Sequence, residues 1–299
     1  MKQYDIGLDL GTTSIIIATQ EQGVVFHQPS IGAVDTRSST ILAVGDKALR
    51  MVGRVPSYID IIRPLRDGII QDHRMTNELI VRFINEVCRS RIIKPRVSVC
   101  VPAAITGIEA DAVVEAVMAA GARQVFLVDE PVAAALGAGL DIRKPMGCMV
   151  IDIGGGSTEL AGFAQGHLSG MSMPVGAVRW QVMNFRRSEV KRKMAARIAM
   201  KKYDDIRYFI GVGGTITTAA AVLGSVTAYT REAIHGKSLD YATLTALHRR
   251  LETMTLEERK AVPGMPPARA EVILYGMDIL EILFELLSIP KLYISDWGI

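Results

Sequence analysis

The feature that most constrains this chain is a short motif that occurs twice. An aspartate ends an apolar run and is followed by a glycine-rich turn and a second apolar run, first at Asp9–Ser14 and again at Asp152–Thr158. The two aspartates are 143 positions apart, and a second pair of similar segments, 31–34 and 175–178, keeps nearly the same spacing. A near-constant offset over this length predicts a duplicated unit of strand, glycine turn and strand.

The residue types in this motif are those of a phosphate and metal site. Glycines allow several backbone N–H groups to converge on one anion, and an aspartate beside them can hold Mg²⁺, directly or through water. Because the motif occurs twice, the sequence predicts two such turns that together clamp a metal-bound polyphosphate. The alternative interpretation of each motif is a plain tight turn without a ligand.

The composition is typical of a soluble globular protein of two domains. Of the 299 residues, 49% are hydrophobic and 22% are charged, and this length accommodates two domains. A net charge of +3 is too small to indicate nucleic-acid binding, and no apolar run is long enough for a membrane span. The start has no signal-peptide layout, and the histidines have no zinc-ligand spacing. Three cysteines in apolar contexts indicate buried free thiols in a reducing cytoplasm.

The periodicity of each half predicts strands that alternate with helices, which indicates an α/β protein. Beyond the first motif, strands are predicted at 96–101, 124–128, 148–151, 208–212 and 291–295, and helices at 76–87, 106–120, 131–138, 188–201, 215–223, from 241, and at 268–287. Thr106 and Glu109 have the spacing of a helix capping box. The polar segment 141–147 contains proline and glycine, so it predicts a boundary between domains 1–145, with a small insertion at about 35–74, and 146–299.

These motifs resemble the actin-like superfamily of ATPases, which also contains sugar kinases and heat-shock chaperones. Residues 5–147 resemble the bacterial actin MreB, through Gly7–Thr12, Ile41–Asp46, Ile62–Gly68, Lys94–Val97 and Asp129–Ala135. Residues from 148 onward resemble the exopolyphosphatase and guanosine pentaphosphate phosphatase family (Ppx/GppA), through Asp152–Leu160, Val175–Arg179, Gly211–Thr215, His235–Gly236 and Arg269–Ile273. A natural mosaic and a constructed hybrid would both explain this combination.

The resemblance implies an α/β fold of two duplicated actin-like (ribonuclease H-like) domains, in which mixed sheets flanked by helices surround a central nucleotide or phosphate cleft. It implies that Asp9 and Asp152 hold the metal and that Glu130 positions or activates the attacking water. The implied phosphate-binding residues are Gly11, Thr12 and Thr13 in the first turn and Gly154, Gly155, Gly156, Ser157 and Thr158 in the second. The implied nucleotide-binding loop beside the adenosine is Gly213, Gly214 and Thr215. The alternative interpretation of Glu130 is an exposed acid at a helix start.

A basic run at 186–202 also has two interpretations. Val190, Met194 and Ile198 are spaced to face a core, which leaves the basic side chains on a solvated helix face; the alternative is a guide for long anionic polyphosphate. MreB carries an additional subdomain here, with acidic residues that hold the nucleoside, and this chain has no equivalent. The pair Ile92–Ile93 stands where MreB has a membrane-touching loop, but the patch is too small for us to expect membrane contact.

The leading functional hypothesis is Mg²⁺-dependent binding and slow hydrolysis of ATP. The alternatives are an exopolyphosphatase or guanosine pentaphosphate phosphohydrolase, and a non-enzymatic actin-like scaffold. The expected ligand is ATP or a polyphosphate, the expected cofactor is Mg²⁺, the expected location is the cytoplasm, and no nucleic-acid partner is expected. Because the filament-contact subdomain and a C-terminal crossing helix of relatives have no counterpart, a homodimer is expected rather than long filaments.

Overall fold

The computed structural model describes residues 5–11, 14–66, 69–88, 94–102, 105–141, 144 and 146–296. The chain divides into two compact units, Met1–Asp129 and Glu130–Ile299. This division falls earlier than position 145 because the helix Glu130–Gly137 packs against the strands that follow it. The boundary at 145/146 stays a prediction of the sequence. Three features singled out above, Thr12, Thr13 and the pair Ile92–Ile93, lie outside the described residues.

The first unit is built on a mixed sheet with the strand order β10-β9-β1-β2-β3. Its strands are β1 (Asp5–Leu10), β2 (Ser14–Thr19), β3 (Gly23–Pro29), β4 (Gly32–Asp35), β5 (Thr40–Val44), β6 (Ile59–Ile62), β7 (Leu65–Arg66), β8 (Ile69–Ile70), β9 (Arg96–Val101) and β10 (Gln124–Asp129), and its helices are α1 (Asp46–Leu49), α2 (His73–Val87) and α3 (Gly107–Ala119). Strands β5-β4-β6 and β7-β8 form two small additional sheets.

The second unit is built on a mixed sheet with the strand order β13-β12-β11-β14-β16-β15. Its strands are β11 (Cys148–Ile153), β12 (Thr158–Ala164), β13 (His167–Met173), β14 (Tyr208–Val212), β15 (Ser238–Leu239) and β16 (Leu292–Ile294). Its helices are α4 (Glu130–Gly137), α5 (Ala177–Met183), α6 (Arg187–Ile198), α7 (Gly214–Leu223), α8 (Arg231–Ile234), α9 (Tyr241–Glu252), α10 (Leu256–Lys260) and α11 (Ile273–Leu287).

The duplication predicted from the repeated motif is present in the strand pairing. In each unit, an antiparallel meander (β1-β2-β3 or β11-β12-β13) is continued on its first strand by two parallel strands, β9 and β10 in one unit and β14 and β16 in the other. The prediction that segments 31–34 and 175–178 repeat each other is wrong at the structural level. The first begins strand β4, whereas the second leads into helix α5.

Most of the predicted helices and strands are confirmed, and the capping box is the clearest case. Thr106 accepts a hydrogen bond from the backbone N–H of Glu109, and the Glu109 carboxylate accepts one from the backbone N–H of Thr106 at 2.8 Å. These reciprocal bonds satisfy two N–H groups that a helix start leaves without partners. The predicted start of the last helix at 268 is wrong, since α11 begins at Ile273 and the residues before it form consecutive turns.

Two faces of the second sheet are covered by different helices. Met149, Ile151 and Ile153 point into the large core shared with α7, α9 and α11. Val150 lies on the opposite face, which is covered by the alanines of α4. Successive side chains of a strand point to opposite faces, so Asp152 shares the α4 face with Val150. This alternation places the aspartate of the repeated motif beneath the start of α4.

The basic helix α6 packs as its spacing predicts. Val190 and Met194 are fully buried, and Ile198 packs against the same core. Its basic residue Arg187 is not free in solution, because it forms ion pairs with three carboxylates of α11, namely Asp278, Glu281 and Glu285. These pairs neutralise part of the basic run, which supports a structural interpretation of the helix over a polyphosphate guide.

Two further properties bear on the sequence expectations. Among the described residues, no helix combines the length and the apolar character needed to cross a membrane. The three cysteines, Cys88, Cys100 and Cys148, are partly buried, less than the sequence predicts, and none is in a disulfide.

Candidate functional site

A row of polar side chains crosses the second sheet on the face covered by α4. Asp152 of β11 lies opposite Glu159 of β12, and Glu159 lies opposite Ser172 of β13. Glu130 is the first residue of α4 and is followed by Pro131, a residue favoured in the first helical turn. Because α4 packs on this face, the Glu130 carboxyl group joins the row. Three carboxyl groups from separate elements therefore meet at one site.

Glu159 is the most buried member of this row. Only 4% of the residue is exposed, and its Oε1 atom accepts a hydrogen bond from the Ser172 hydroxyl at 3.0 Å and a weaker one from Ser157 at 3.5 Å. Burial, together with the charge of and hydrogen bond to Glu130, raises the pKa of Glu159 to about 10. Burial also raises the pKa of Glu130. Two carboxyl groups this close share a proton, because both cannot be charged at low dielectric.

The pKa of Asp152 is subject to two opposing effects. Burial and the charge of Glu130 raise the pKa of Asp152 to about 6, and the cationic Arg269 acts in the opposite direction. A carboxylate held beside other carboxylates is destabilised unless a cation neutralises it. Oxygen donors of this kind are the ligands that Mg²⁺ prefers, so the chemistry of Asp152 and its neighbours fits a magnesium ion.

The glycine turn between β11 and β12 is hydrogen-bonded to helix α5 through its carbonyl groups. The carbonyl of Gly154 accepts a bond from the N–H of Ala177, and the carbonyl of Gly155 accepts bonds from the first turn of α5. The carbonyl of Gly156 accepts a bond from Nε of Arg179 at 2.8 Å. Within the described part of the chain, the N–H groups of Gly155, Gly156 and Ser157 donate no backbone hydrogen bond. The carbonyls of the turn are therefore engaged by α5, and the N–H groups of a glycine turn can bind an anion.

The Gly213–Gly214 loop borders the same row. Gly213 has a φ of +86°, and a Cβ there would overlap the Asp152 carboxylate. A Cβ at Gly214 would overlap the guanidinium group of Arg269. The partly buried Arg269 comes from the turns before α11, and burial lowers its pKa, whereas the charges of Asp152 and Tyr229 act in the opposite direction. The two glycines therefore allow the Asp152 carboxylate and the Arg269 guanidinium group to approach the start of α7.

Several predicted site residues make contacts away from this row. The Thr158 hydroxyl donates to the carbonyl of Val175 at 2.6 Å, and the residue is fully buried. Thr215 is also buried, with its side chain against Gly276 of α11. The side chains of these two threonines therefore pack in the core. Only the backbone groups of Thr158 and Thr215 are left for the ligand contacts that the sequence predicts.

The first hairpin belongs to the other unit and is only partly described. Asp9 lies at the end of β1 opposite Ile16, and a Cβ at Gly11 would crowd the carbonyl of Ser14. Close backbone approach of this kind explains the glycine. Thr12 and Thr13 of the predicted first phosphate loop lie outside the described residues.

Sequence reasoning missed three residues of the site, namely Glu159, Ser172 and Arg269. A signal for Glu159 was present, because a hairpin that pairs Ile153 with Thr158 also pairs Asp152 with Glu159. The positions of Ser172 and Arg269 depend on how β13 and the turns before α11 pack, which a linear pattern does not contain.

The duplicated mixed sheets and the glycine turn at the end of β11 define an α/β protein with two actin-like units. The sequence profile of the MreB/Mbl protein family matches residues 3–237. The chain belongs to the MreB/Mbl family. The match runs beyond residue 147, where the sequence resemblance to MreB was expected to end, and a hybrid origin has no support beyond structural similarity.

Known relatives agree with this family. The cell shape-determining protein Mbl of Bacillus cereus is 39% identical over 211 residues, which are 69% of this chain and 62% of that protein. The chain thus spans about three fifths of the length of the curated relatives it matches.

Two solved structures share the fold. MreB 5 of Spiroplasma citri, bound to AMPPNP, has a TM-score of 0.59 at 22% identity, covering 99% of this chain and 92% of that one. The Ppx/GppA family member of Aquifex aeolicus has a TM-score of 0.64 at 19% identity, covering 99% and 94%.

Proposed function

We propose that this chain binds a nucleoside triphosphate with Mg²⁺ and hydrolyses it slowly, with ATP as the natural ligand. The observation that carries the proposal is the row of Glu130, Asp152 and Glu159 beside a glycine turn whose carbonyls are hydrogen-bonded to α5. Carboxyl groups next to the N–H donors of a glycine turn can serve a cation and a phosphate chain together.

Each residue has a distinct role in this proposal. The N–H groups of Gly155, Gly156 and Ser157 hold phosphate oxygens, and Asp152 holds the magnesium ion, which supplies positive charge to the phosphate chain. Glu130 accepts the proton of the attacking water as the new bond from oxygen to the γ-phosphorus forms and the bond to the bridging oxygen of the departing ADP breaks, because a carboxylate within hydrogen-bond reach is a suitable general base. In the first unit, Asp9 and Gly11, with Thr12 and Thr13, are proposed for the same ligand class.

Relatives support ATP as the ligand and a cytoskeletal role. The Spiroplasma citri protein is bound to AMPPNP in one structure and to ADP in another. Relatives in Bacillus and Escherichia coli are named as cell shape-determining proteins. We therefore extend to this chain a cytoplasmic role in bacterial cell shape, together with the nucleotide loop Gly213–Thr215.

A phosphohydrolase acting on polyphosphate or guanosine pentaphosphate is the second candidate. The observation that favours it is Arg269, whose guanidinium group lies against Gly214. A guanidinium group is a strong partner for phosphate, and at this position it would compete with a nucleoside for the face of the loop. The fold shared with the Ppx/GppA structure is consistent with this candidate.

Parallel phosphate-release assays with ATP, GTP, guanosine pentaphosphate and long-chain polyphosphate, each with and without Mg²⁺, test these proposals. We expect Mg²⁺-dependent release from ATP at a low rate. Faster release from polyphosphate or guanosine pentaphosphate would favour the second candidate. Binding of Mg·AMPPNP in calorimetry without any phosphate release would indicate a nucleotide-binding scaffold. The absence of both binding and release would contradict the proposal.

A further inference from the structure

We propose that Arg179 is a positioning residue of the glycine turn, because its side chain fixes the peptide group that carries the N–H of Ser157. The inference rests on the binding half of the proposed function, in which that N–H holds a phosphate oxygen, and it adds a residue to which that function assigns no role. The contact that carries it joins Nε of Arg179 to the carbonyl oxygen of Gly156 at 2.8 Å.

The start of α5 lies directly against the glycine turn. A Cβ at Gly176, the residue before α5, would overlap the backbone of the turn. Backbone N–H groups of α5 donate to the carbonyl of Gly154 at 3.1 Å and to that of Gly155 at 2.9 Å. Because these donors belong to the backbone, the two bonds do not depend on which side chains α5 carries.

The third carbonyl of the turn, that of Gly156, is held by a side chain instead. Its partner is the Nε–H group of Arg179, a partly buried residue of the same helix. The orientation of the third peptide group therefore depends on the residue type at position 179, whereas the first two follow from the backbone of α5 alone.

The direction of each carbonyl also sets the direction of an N–H group. A trans peptide group is planar and points its N–H opposite to its C=O, and the peptide bonds of the turn are trans. The bond that draws the Gly156 carbonyl toward α5 therefore directs the N–H of Ser157 away from α5. The two backbone bonds act in the same way on the N–H groups of Gly155 and Gly156. Successive N–H groups on one side of a turn form an anion-binding concavity, and Arg179 fixes its third member.

Two other roles of Arg179 predict different results. If its guanidinium group attracted phosphate through its charge alone, any cation at position 179 would serve equally well. If the contact were purely structural, its loss would lower the free energy of unfolding and leave ligand affinity unchanged.

Three substitutions separate these roles. In Arg179→Gln, the amide nitrogen is the same number of bonds from Cα as Nε of arginine, so this variant keeps a donor at the contact and loses the charge. Arg179→Lys keeps the charge but has a methylene group at that place, and Arg179→Met has neither donor nor charge. Arg207→Met is the matched control, because Nε of the exposed Arg207 is paired with Asp205.

The readouts are the dissociation constant of Mg·AMPPNP by calorimetry and the urea denaturation midpoint without ligand. We expect Arg179→Met and Arg179→Lys to weaken binding by about 3- to 10-fold, the loss that one hydrogen bond of ordinary strength supports. Arg179→Gln should bind within about twofold of the wild type, because it keeps the donor. Arg207→Met should bind like the wild type.

The wild type separates this inference from the proposed function. If the wild type binds no Mg·AMPPNP, the proposed function falls and this inference falls with it. If the wild type binds and all three variants at position 179 bind equally well, the contact is only structural and the proposed function stands.

The order of the variants tests the hydrogen bond itself. Wild-type affinity in Arg179→Lys with weak binding in Arg179→Gln would assign the effect to charge and overturn the inference. An equal loss in Arg179→Gln and Arg179→Lys would also overturn it, since the retained donor would have no effect. If Arg179→Met does not fold, the comparison of Arg179→Gln with Arg179→Lys decides.

Discussion

At the scale of single residues, Glu130 is the group whose removal separates binding from chemistry. We expect Glu130→Gln to keep its affinity for Mg·AMPPNP and to lose turnover by about 10²- to 10⁴-fold, the range reported for general bases. The amide keeps the size of the side chain but accepts no proton. Phosphate release under saturating Mg·ATP, with calorimetry for affinity, measures both quantities.

The matched control is Asp129→Asn, since Asp129 precedes Glu130 in the chain and is exposed. This control should hydrolyse ATP like the wild type. Wild-type turnover in Glu130→Gln would show that Glu130 is only an acid at a helix start.

The two motif aspartates give the second prediction at this scale. We expect Asp152→Ala and Asp9→Ala each to weaken Mg²⁺-dependent nucleotide binding by at least about tenfold, since a carboxylate that holds the cation is lost. Without ligand, Asp152→Ala should be at least as stable as the wild type, because burial and Glu130 raise the pKa of this carboxyl group and its removal relieves repulsion. Calorimetry and thermal denaturation measure the two effects.

Asp205→Ala is the control for these variants, because Asp205 is an exposed carboxylate paired with Arg207. It should bind Mg·AMPPNP like the wild type. Unchanged affinity in both Asp152→Ala and Asp9→Ala would remove the metal assignment from the motif.

At the scale of elements, the loop that begins α7 can be tested through its glycines. Gly213→Ala adds a Cβ at a φ of +86° and against the Asp152 carboxylate, so it should destabilise the fold and weaken Mg²⁺-dependent binding. In Gly214→Ala the three atoms nearest to the new Cβ all belong to the end of the Arg269 side chain, so this variant should cost less stability than Gly213→Ala. Gly236→Ala is the control, with a φ of +79° and open space around it, so it carries the backbone cost alone, about 1–2 kcal/mol. Urea denaturation that gives equal losses for Gly213→Ala and Gly236→Ala would contradict the contact with Asp152.

The junction of α6, α9 and α11 supplies a pH-dependent contribution to stability. Nδ1 of His248 lies 2.8 Å from Oε1 of Glu281, and Asp278 and Arg187 complete the group. Burial lowers the pKa of His248. The hydrogen bond and charge of Glu281, together with the charges of Asp278 and Glu252, raise this pKa by more than burial lowers it, so the net pKa lies above its usual value. This contribution is fully present below about pH 6.5 and is lost as the pH rises through the folded-state pKa. Urea denaturation between pH 6 and 9 should show the decline.

His248→Gln should flatten that decline, whereas His167→Gln should leave it in place, since His167 is exposed and contacts only a backbone carbonyl within its own turn. A pH profile of His248→Gln that matches the wild type would show that the histidine carries no charge in the folded state. The same group contains three side chains that could ligate a metal ion, but Arg187 already supplies a cation to two of them.

The elements that the sequence predicts correctly are those with local causes. The capping box of Thr106 and Glu109 involves residues three apart, and the core stripe of α6 follows helical spacing. The start of α11 was misplaced because Pro266 and Pro267 belong to turns that carry Arg269 to the Gly214 loop. That position is decided by packing between elements, which helical periodicity does not encode.

The same distinction holds for the candidate site. Asp152, the glycine turn and Glu130 were singled out because each lies in a contiguous motif, and their ligand roles stay predictions. Glu159 and Ser172 join the site through strand register, and Glu159 becomes buried only because α4 covers that face of the sheet. Non-local pairing of this kind is where single-sequence reasoning has the least information.

At the scale of the whole molecule, each unit has its own hydrophobic core. One core is formed by α2, α3 and the first sheet, and the other by the helices and strands of the second unit. Units with separate cores are expected to unfold as separate cooperative transitions unless something couples them. Ligand binding then raises the stability of whichever unit holds the ligand.

The last prediction uses this property to test the ligand without relying on turnover. A ligand that binds only the folded state stabilises it by about 2.7 kcal/mol at a concentration 100 times its dissociation constant. We therefore expect Mg·AMPPNP to raise the melting temperature of the transition that involves the second unit in the wild type and in Glu130→Gln, and to raise it clearly less in Asp152→Ala. Differential scanning calorimetry resolves the transitions under three conditions: Mg·AMPPNP, AMPPNP with EDTA, and Mg²⁺ with long-chain polyphosphate.

An equal shift with and without Mg²⁺ would contradict the metal assignment. A shift with Mg²⁺ and polyphosphate but none with Mg·AMPPNP would favour the phosphohydrolase. If Asp152→Ala shows the full wild-type shift, the ligand binds elsewhere on the molecule and the row of carboxyl groups is not its site.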